Sequence, residues 1–93
     1  MRFPSAIEIN TFARGRIELL RFRVEKSSPL AGRKLKDISE LTQCEALVCI
    51  VERGGKVIIP DGEMELQAND TISIVASPLN ASRFFKLMGV QTN

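Results

Sequence analysis

A pair of adjacent glycines, Gly54-Gly55, lies between two apolar runs, residues 46–51 and 56–59. This setting strongly indicates a two-residue β-hairpin, because both glycines accept the positive φ that such a turn requires. Turn residues and two more alternating stretches follow before residue 77. The second half of the chain therefore predicts four strands joined by short connections, which would make them antiparallel neighbours.

One strand and three helices complete the prediction. Residues 17–25 alternate, with Leu20, Phe22 and Val24 on one face and charged side chains on the other. We therefore expect the α+β class: a small antiparallel β-sheet capped by short helices. The first half is predicted to form a helix over 3–16, a strand over 17–25, a loop over 26–32 and a helix over 33–41. Strands follow at 46–51, 56–59, 64–67 and 71–76, with turns at 60–62 and 68–70. A last helix begins at Ser77 and Pro78 and ends at Gly89.

Composition narrows the chemistry. The 93 residues include no histidine, and the two cysteines, Cys44 and Cys49, stand five residues apart, which places them on opposite faces of a strand. A chain without histidine and without a nucleophile–base pair is not expected to be an enzyme, and no metal site is expected. We also expect no membrane insertion, because no apolar stretch is long enough to span a bilayer.

Charge is distributed unevenly. Residues 1–36 hold nine basic and three acidic side chains, a net +6, whereas residues 37–93 hold four basic and eight acidic ones, a net −4. The basic part could face nucleic acid, an anionic ligand or acidic groups of a partner, or simply be a solvated surface. Nucleic acid is not expected, because the chain has no Trp or Tyr to stack on bases.

The ordered set of motifs resembles one known family. Ser28-Pro29-Leu30-Ala31-Gly32-Arg33-Lys34-Leu35, Arg53-Gly54-Gly55, Ile59-Pro60, Leu66 and Asp70 are similar to the TrkA C-terminal domain, also called the RCK C-terminal domain. Asn69 departs from the Gly-Asp pair typical of that family's last turn. The resemblance implies an antiparallel sheet capped by helices and a regulatory role in potassium uptake systems and channels. It also implies that residues 1–16 are a linker helix from a missing upstream part and that residues 17–93 are the regulatory domain.

The candidate ligand site is the loop before the helix at 33–41. A helix N-terminus offers free N–H groups, Gly32 permits close approach, and Arg33 and Lys34 add charge, which together suit a phosphate. Alternatively, Gly32 only shapes the loop and the cations are solvated. The resemblance implies cyclic di-AMP, or another nucleotide or anion, as the effector. The predicted ligand-binding residues are Pro29, Leu30, Gly32, Arg33, Lys34 and Arg53.

Arg53 and Asp70 each have a further candidate role. Arg53 could instead cover a sheet edge. Asp70 could join Glu63 or Glu65 in a cation site, although a role in forming the turn is favoured.

A second copy of the chain is the expected partner. The run at 46–51 is apolar on both faces, and a two-fold interface would bury the surplus apolar surface. The resemblance implies a cytoplasmic regulatory, ligand-binding and dimerisation domain that acts on a membrane-embedded potassium transporter or channel subunit and is peripheral to the inner membrane through it. The alternative is a module of another membrane transporter, for an anion or a different cation.

Overall fold

The computed structural model describes residues 8–87, which form a sheet with two short helices. The five strands lie in the order β1-β2-β5-β3-β4, and every neighbouring pair is antiparallel. The α+β class and the antiparallel sheet are therefore confirmed. The elements are β1 (Glu8–Phe12), a 3-10 turn (Ala13–Gly15), β2 (Ile17–Arg23), a 3-10 turn (Leu35–Asp37), α1 (Ile38–Thr42), β3 (Ala46–Arg53), β4 (Lys56–Ile58), β5 (Thr71–Ala76) and α2 (Pro78–Leu87).

The first predicted helix is wrong for the part that the structure describes. Residues 3–7 lie outside the described residues, and Glu8–Phe12 is strand β1, paired with β2 from Glu8–Arg21 to Phe12–Ile17. The apolar residues of this segment form no helical stripe, so nothing stabilised a lone helix, whereas β2 offered an unpaired edge. Assignment of residues 1–16 to a linker remains a prediction.

The predicted two-residue hairpin at Gly54-Gly55 is confirmed. β3 and β4 pair from Val51–Ile58 to Arg53–Lys56, and Gly54 and Gly55 both have positive φ, 58° and 78°. Positive φ at both positions matches the right-handed twist of the flanking strands, and a side chain there would be strained.

The predicted neighbour relation between the last strands is wrong. β5 does not pair with β4 but lies between β2 and β3. The predicted strand at 64–67 is absent from the sheet, and only an isolated bridge between Lys34 and Glu65 forms there. This segment instead hydrogen-bonds to the loop before α1, while Leu66 lies in the hydrophobic core and Met64 packs against it.

The core lies on one face of the sheet. The predicted alternation is confirmed on β2 and on β5, and α2 packs against this face with the Phe84 ring 5.7 Å from that of Phe22. The predicted helix over 33–41 is a 3-10 turn followed by α1, of which Ile38 is buried and Leu41 is exposed. The buried apolar residues are Leu20, Phe22, Val24, Leu30, Ile38, Cys44, Val51, Leu66, Ile72, Ile74, Ala76, Ala81, Phe84 and Phe85.

The opposite face of the sheet carries a charge network. Arg21 on β2 donates from Nε and Nη2 to Glu52 on β3, at 2.9 and 3.0 Å, and from Nη1 to Glu8 on β1 at 3.2 Å. Because β5 lies between β2 and β3, the Arg21–Glu52 pair spans it near the buried Ser73. The centre of this face is thus occupied by the Arg21–Glu52 ion pair.

β3 has an irregular start. Its register with β5 shifts between Val48 and Ile50, a bulge at Cys49, and β4 covers only residues 51–53 of its other edge. Cys44 and Cys49 are both free thiols, and Cys44 is buried. The outward Leu47 is 67% exposed, so the apolar run at 46–51 is covered on the core face and open on the other.

Candidate functional site

The predicted ligand loop has a fixed backbone. Ser28 Oγ accepts the Leu30 N–H at 3.1 Å, Leu30 is fully buried, and Gly32 has a φ of +82°. Nothing lies within 4 Å of where a Cβ of Gly32 would be, so the glycine serves backbone conformation and not a close approach.

The N–H groups expected to hold a phosphate have partners within the chain. Gly32 N–H donates to Leu66 O at 2.8 Å and Arg33 N–H donates to Leu30 O at 3.1 Å. The N–H groups of Leu35 and Lys36 donate to Met64 O at 2.9 Å and to Gly62 O at 3.0 Å. In this conformation these N–H groups are therefore not available to a phosphate, and α1 is too short to add a strong helix dipole.

The charged side chains of the predicted site are the groups left to contact a ligand. Arg33 is exposed, while Lys34 and Lys36 both pair with Glu63, at 3.3 and 2.7 Å. The hydrogen bonds from Lys36 and then from Lys34 hold the pKa of the Glu63 carboxyl below its ordinary value. Any anion that binds here would compete with Glu63 for the two lysines.

Arg53 is committed to a buried carboxylate. It donates from Nε and Nη2 to the two oxygens of Asp70, each at 2.7 Å, and from Nη2 to Glu65 O at 3.0 Å. Asp70 is 1% exposed and also accepts the Gln67 N–H at 2.9 Å. The Arg53 hydrogen bonds, reinforced by that of Gln67, lower the pKa of Asp70 although burial opposes them.

The structure thus connects the predicted site residues through one segment. The loop of Pro29, Leu30, Gly32, Arg33 and Lys34 pairs with residues 62–66, and Arg53 holds the same segment at Glu65. Asp70 has the predicted part in the turn, where Asn69 has a φ of 75°, and it also anchors Arg53, which the sequence did not indicate. Among residues 8–87 no group of three or more carboxylate, thiol or imidazole side chains is placed to hold a metal.

A second surface was missed by the sequence prediction. Clefts flank α1 where β3 starts and α2 runs past. One, of about 630 Å³, is lined by Leu41, Thr42, Gln43, Arg83, Lys86 and Leu87. A groove of about 270 Å³ lies between Leu47 on β3 and the turn at Pro60. Leu41 and Leu87 are exposed although both lie within predicted helices, so helical periodicity alone could not have identified this surface.

None of the helices among residues 8–87 has the length and apolar character that a membrane span requires.

Comparison with solved structures identifies the same fold in other proteins. The RCK domain of GsuK superposes with a TM-score of 0.76 at 15% identity, over 96% of this chain and 19% of that one. The RCK_C domain dimer of S. agalactiae BusR in complex with c-di-AMP gives 0.64 at 19% identity, over 76% and 95%. At these identities the likeness shows the fold alone.

Sequence relatives are more informative. The Trk system potassium uptake protein TrkA homolog 2 of Methanosarcina mazei is 35% identical over 75 residues, 81% of this chain and 16% of that protein. A TrkA homolog of Archaeoglobus fulgidus is 33% identical over 73 residues, 78% of this chain and 16% of that protein. The chain therefore spans about a sixth of the length of these relatives. The sequence-family model of the TrkA-C domain matches residues 19–89, and the chain belongs to the TrkA-C domain family.

Proposed function

We propose that this chain is the regulatory module of a potassium transport system and that it works as a dimer whose geometry an anionic effector controls. The observation that carries the proposal is the family match over residues 19–89 together with relatives named for potassium uptake. A potassium system is preferred over a transporter of another ion for the same reason. The partner is a membrane-embedded transporter or channel subunit, which keeps the module cytoplasmic and peripheral to the inner membrane.

The effector is a nucleotide, with cyclic di-AMP and NAD as the first compounds to test. Two proteins of the same fold are described with such ligands, the BusR RCK_C dimer with c-di-AMP and the GsuK channel with NAD. On this chain, Arg33 and Lys34 would supply the charge for the phosphates. Pro29, Leu30 and Gly32 would set the loop, and Arg53 would hold the segment behind it.

Regulation requires the effector to favour one dimer geometry over another. A ligand shifts such an equilibrium only by its difference in affinity for the two states, typically ~1–3 kcal/mol of coupling. Because Lys34 and Lys36 already pair with Glu63, an incoming phosphate has to displace that carboxylate. Glu63 thus lowers the affinity of this loop for an anion.

Calorimetric titration of the purified chain with cyclic di-AMP, NAD and ATP tests the effector proposal. Arg33→Ala combined with Lys34→Ala should weaken binding at least tenfold, whereas Glu63→Gln should strengthen it by removing the competing charge. Lys56→Ala, at the exposed hairpin end, is the matched control for a lost cation. Unchanged affinity in the double variant, with folding verified by circular dichroism, would remove the effector from this loop.

A further inference from the structure

The turn between β1 and β2 presents two arginines and an aromatic ring to solvent. Arg14 and Arg16 are exposed, and Phe12 and Ile17, which flank the turn, are 53% and 38% exposed. Phe12 is the one exposed aromatic side chain among residues 8–87, because the other three phenylalanines of that range are buried. We name residues 12–17 the arginine tip.

The charges of the arginine tip have one sign and no partner. Within residues 8–87 neither Arg14 nor Arg16 forms an ion pair, and residues 12–17 contain no carboxylate. Glu18, the nearest carboxylate in the sequence, lies on the face of β2 that packs against the core. Glu8 lies at the other end of β1 and pairs with Arg21. The arginine tip is therefore a small surface of purely positive charge.

An apolar strip leads away from the arginine tip. Phe12 and Ile17 are directly opposite each other, so their side chains share the sheet face that is opposite to the core. Leu19 and Val75 are a second opposite pair on the same face, and both are half-buried. The strip ends at the ion pairs of Arg21. The two arginines thus stand at the solvent-exposed end of an apolar surface.

Exposed cations elsewhere lack this combination. Arg33 stands beside lysines that pair with Glu63, and Lys56 is a single charge in its hairpin. Arg83 and Lys86 lie on α2, whose two phenylalanines are buried in the core. Among residues 8–87, only the arginine tip places unpaired arginines next to an exposed ring.

The backbone of the arginine tip is strained. Ala13 and Arg14 have φ values of 51° and 58°, in the left-handed region that is unfavourable for any residue with a Cβ. No hydrogen bond or ion pair of the Arg14 side chain within residues 8–87 offsets this cost. Strained backbone of this kind is concentrated at functional sites, which supports a role for Arg14 outside the fold itself.

We propose that the arginine tip docks on the surface of an anionic lipid bilayer, with Arg14 and Arg16 at the lipid phosphates and Phe12 among the headgroups. Guanidinium groups bind phosphate oxygens through paired hydrogen bonds, and surfaces that combine basic residues with Phe or Leu are typical of interfacial contact. An acidic peptide would satisfy the two charges equally well. A bilayer also accepts the ring and the apolar strip, without needing a matching side chain for each.

This lipid contact is additional to the proposed function. There the chain reaches the membrane only through a transporter or channel subunit, whereas here it also contacts lipid itself, at the surface and without crossing it. Two arginines and one ring give a weak attachment on their own. A partner subunit that holds the chain near the bilayer raises the effective concentration of lipid, so the contact would then orient the sheet with its β1–β2 turn toward the membrane.

Co-sedimentation of the full chain with vesicles tests the contact directly. Equimolar phosphatidylglycerol and phosphatidylcholine, at millimolar lipid, should bind the chain, and phosphatidylcholine alone should not. Arg14→Ala combined with Arg16→Ala should weaken binding to the anionic vesicles by about 10–30-fold. The control is Lys26→Ala with Lys56→Ala, which removes the same net charge near the other end of the sheet and should leave binding nearly unchanged.

A second pair of variants tests the aromatic ring. Phe12→Ser should weaken vesicle binding by about three- to tenfold, because no apolar side chain then enters the headgroup region. Val57→Ser, on β4 at the opposite edge of the sheet, is the control, since Val57 is 68% exposed. Both positions are exposed, and circular dichroism verifies that both variants are folded.

Arg14→Gly separates a binding role from a structural one. Glycine adopts a φ of 58° without strain, so the Tm of this variant should stay the same or rise while its vesicle binding falls several-fold. A variant that loses both Tm and binding would assign Arg14 a structural role and would count against the lipid contact.

The outcomes also separate the lipid contact from the proposed function. A wild-type chain that does not bind anionic vesicles, or binding that the double arginine change leaves intact, overturns the arginine tip as a lipid site. Binding that soluble glycerol phosphate displaces and that Phe12→Ser leaves unchanged would assign the arginines to a free anion or an acidic partner, which overturns the bilayer as occupant. None of these results affects the effector loop at Arg33, whose test is the calorimetric titration.

Discussion

Replacing Arg53 by Met should destabilise the chain far more than the same replacement at Arg21. Both arginines donate two hydrogen bonds to one carboxylate, Arg53 to Asp70 and Arg21 to Glu52. The difference lies in burial, since Asp70 is 1% exposed and the Glu52 side chain is 32% exposed. Arg53→Met would leave a carboxylate that water reaches poorly, whereas Arg21→Met would leave one that water solvates.

The magnitude follows from the geometry. Removing one partner of a buried ion pair costs about 3–5 kcal/mol. The Arg53 side chain is itself 32% exposed, so water can enter the vacated space and we expect a cost below that range, about 2–3 kcal/mol. For a domain of this length that corresponds to a fall in Tm of roughly 10–20 °C. Arg21→Met should cause little change.

Urea unfolding followed by circular dichroism measures both variants. A double-mutant cycle with Asp70→Asn isolates the pair: the double variant should be much less destabilised than the sum of the singles, because each single change breaks the same interaction. The reasoning fails if Arg53→Met costs no more than Arg21→Met, or if the two single changes at the buried pair simply add.

Three other predictions follow from the structure. Because Arg53 lowers the pKa of Asp70, the stabilisation that this ion pair contributes is complete above the ordinary pKa of 3.8 and declines as the pH falls below it. The free energy of unfolding in urea, measured between pH 5 and 2, should therefore depend less on pH in Asp70→Asn than in the wild type. Equal pH dependence in the two proteins would contradict this. Gly32→Ala should cost about 1–2 kcal/mol through its φ of +82° alone, and a variant of unchanged stability would refute that strain. Phe84→Ala, in the core, should cost about 3–5 kcal/mol, while the exposed Phe12→Ala should be nearly neutral in the same assay.

The strands were predictable where a local signal and burial agree. On β2 and β5 the alternation of apolar residues matches the buried face, and Gly54-Gly55 determines the hairpin between β3 and β4. Each of these features depends on residues that are close in sequence, so periodicity and turn chemistry were sufficient.

Long-range pairing was not predictable from such signals. β1 forms because β2 has a free edge, and residues 62–66 leave the sheet because their backbone pairs with the loop at Gly32. The candidate site was misjudged for the same reason. The N–H groups of Gly32, Leu35 and Lys36, which were expected to be free, are bonded to a segment 26 or more residues away in the sequence. Arg53 is held by Asp70.

The position of β5 has a consequence for biosynthesis. It is the last strand to leave the ribosome, yet it lies between β2 and β3, which have no direct contact in the sheet order. Until Thr71–Ala76 has emerged, the nascent polypeptide can contain only two separate hairpins with bare edges, each marginal alone. The complete sheet can therefore form only after residue 76 has emerged, and a premature stop before residue 71 would release a species prone to edge-to-edge association.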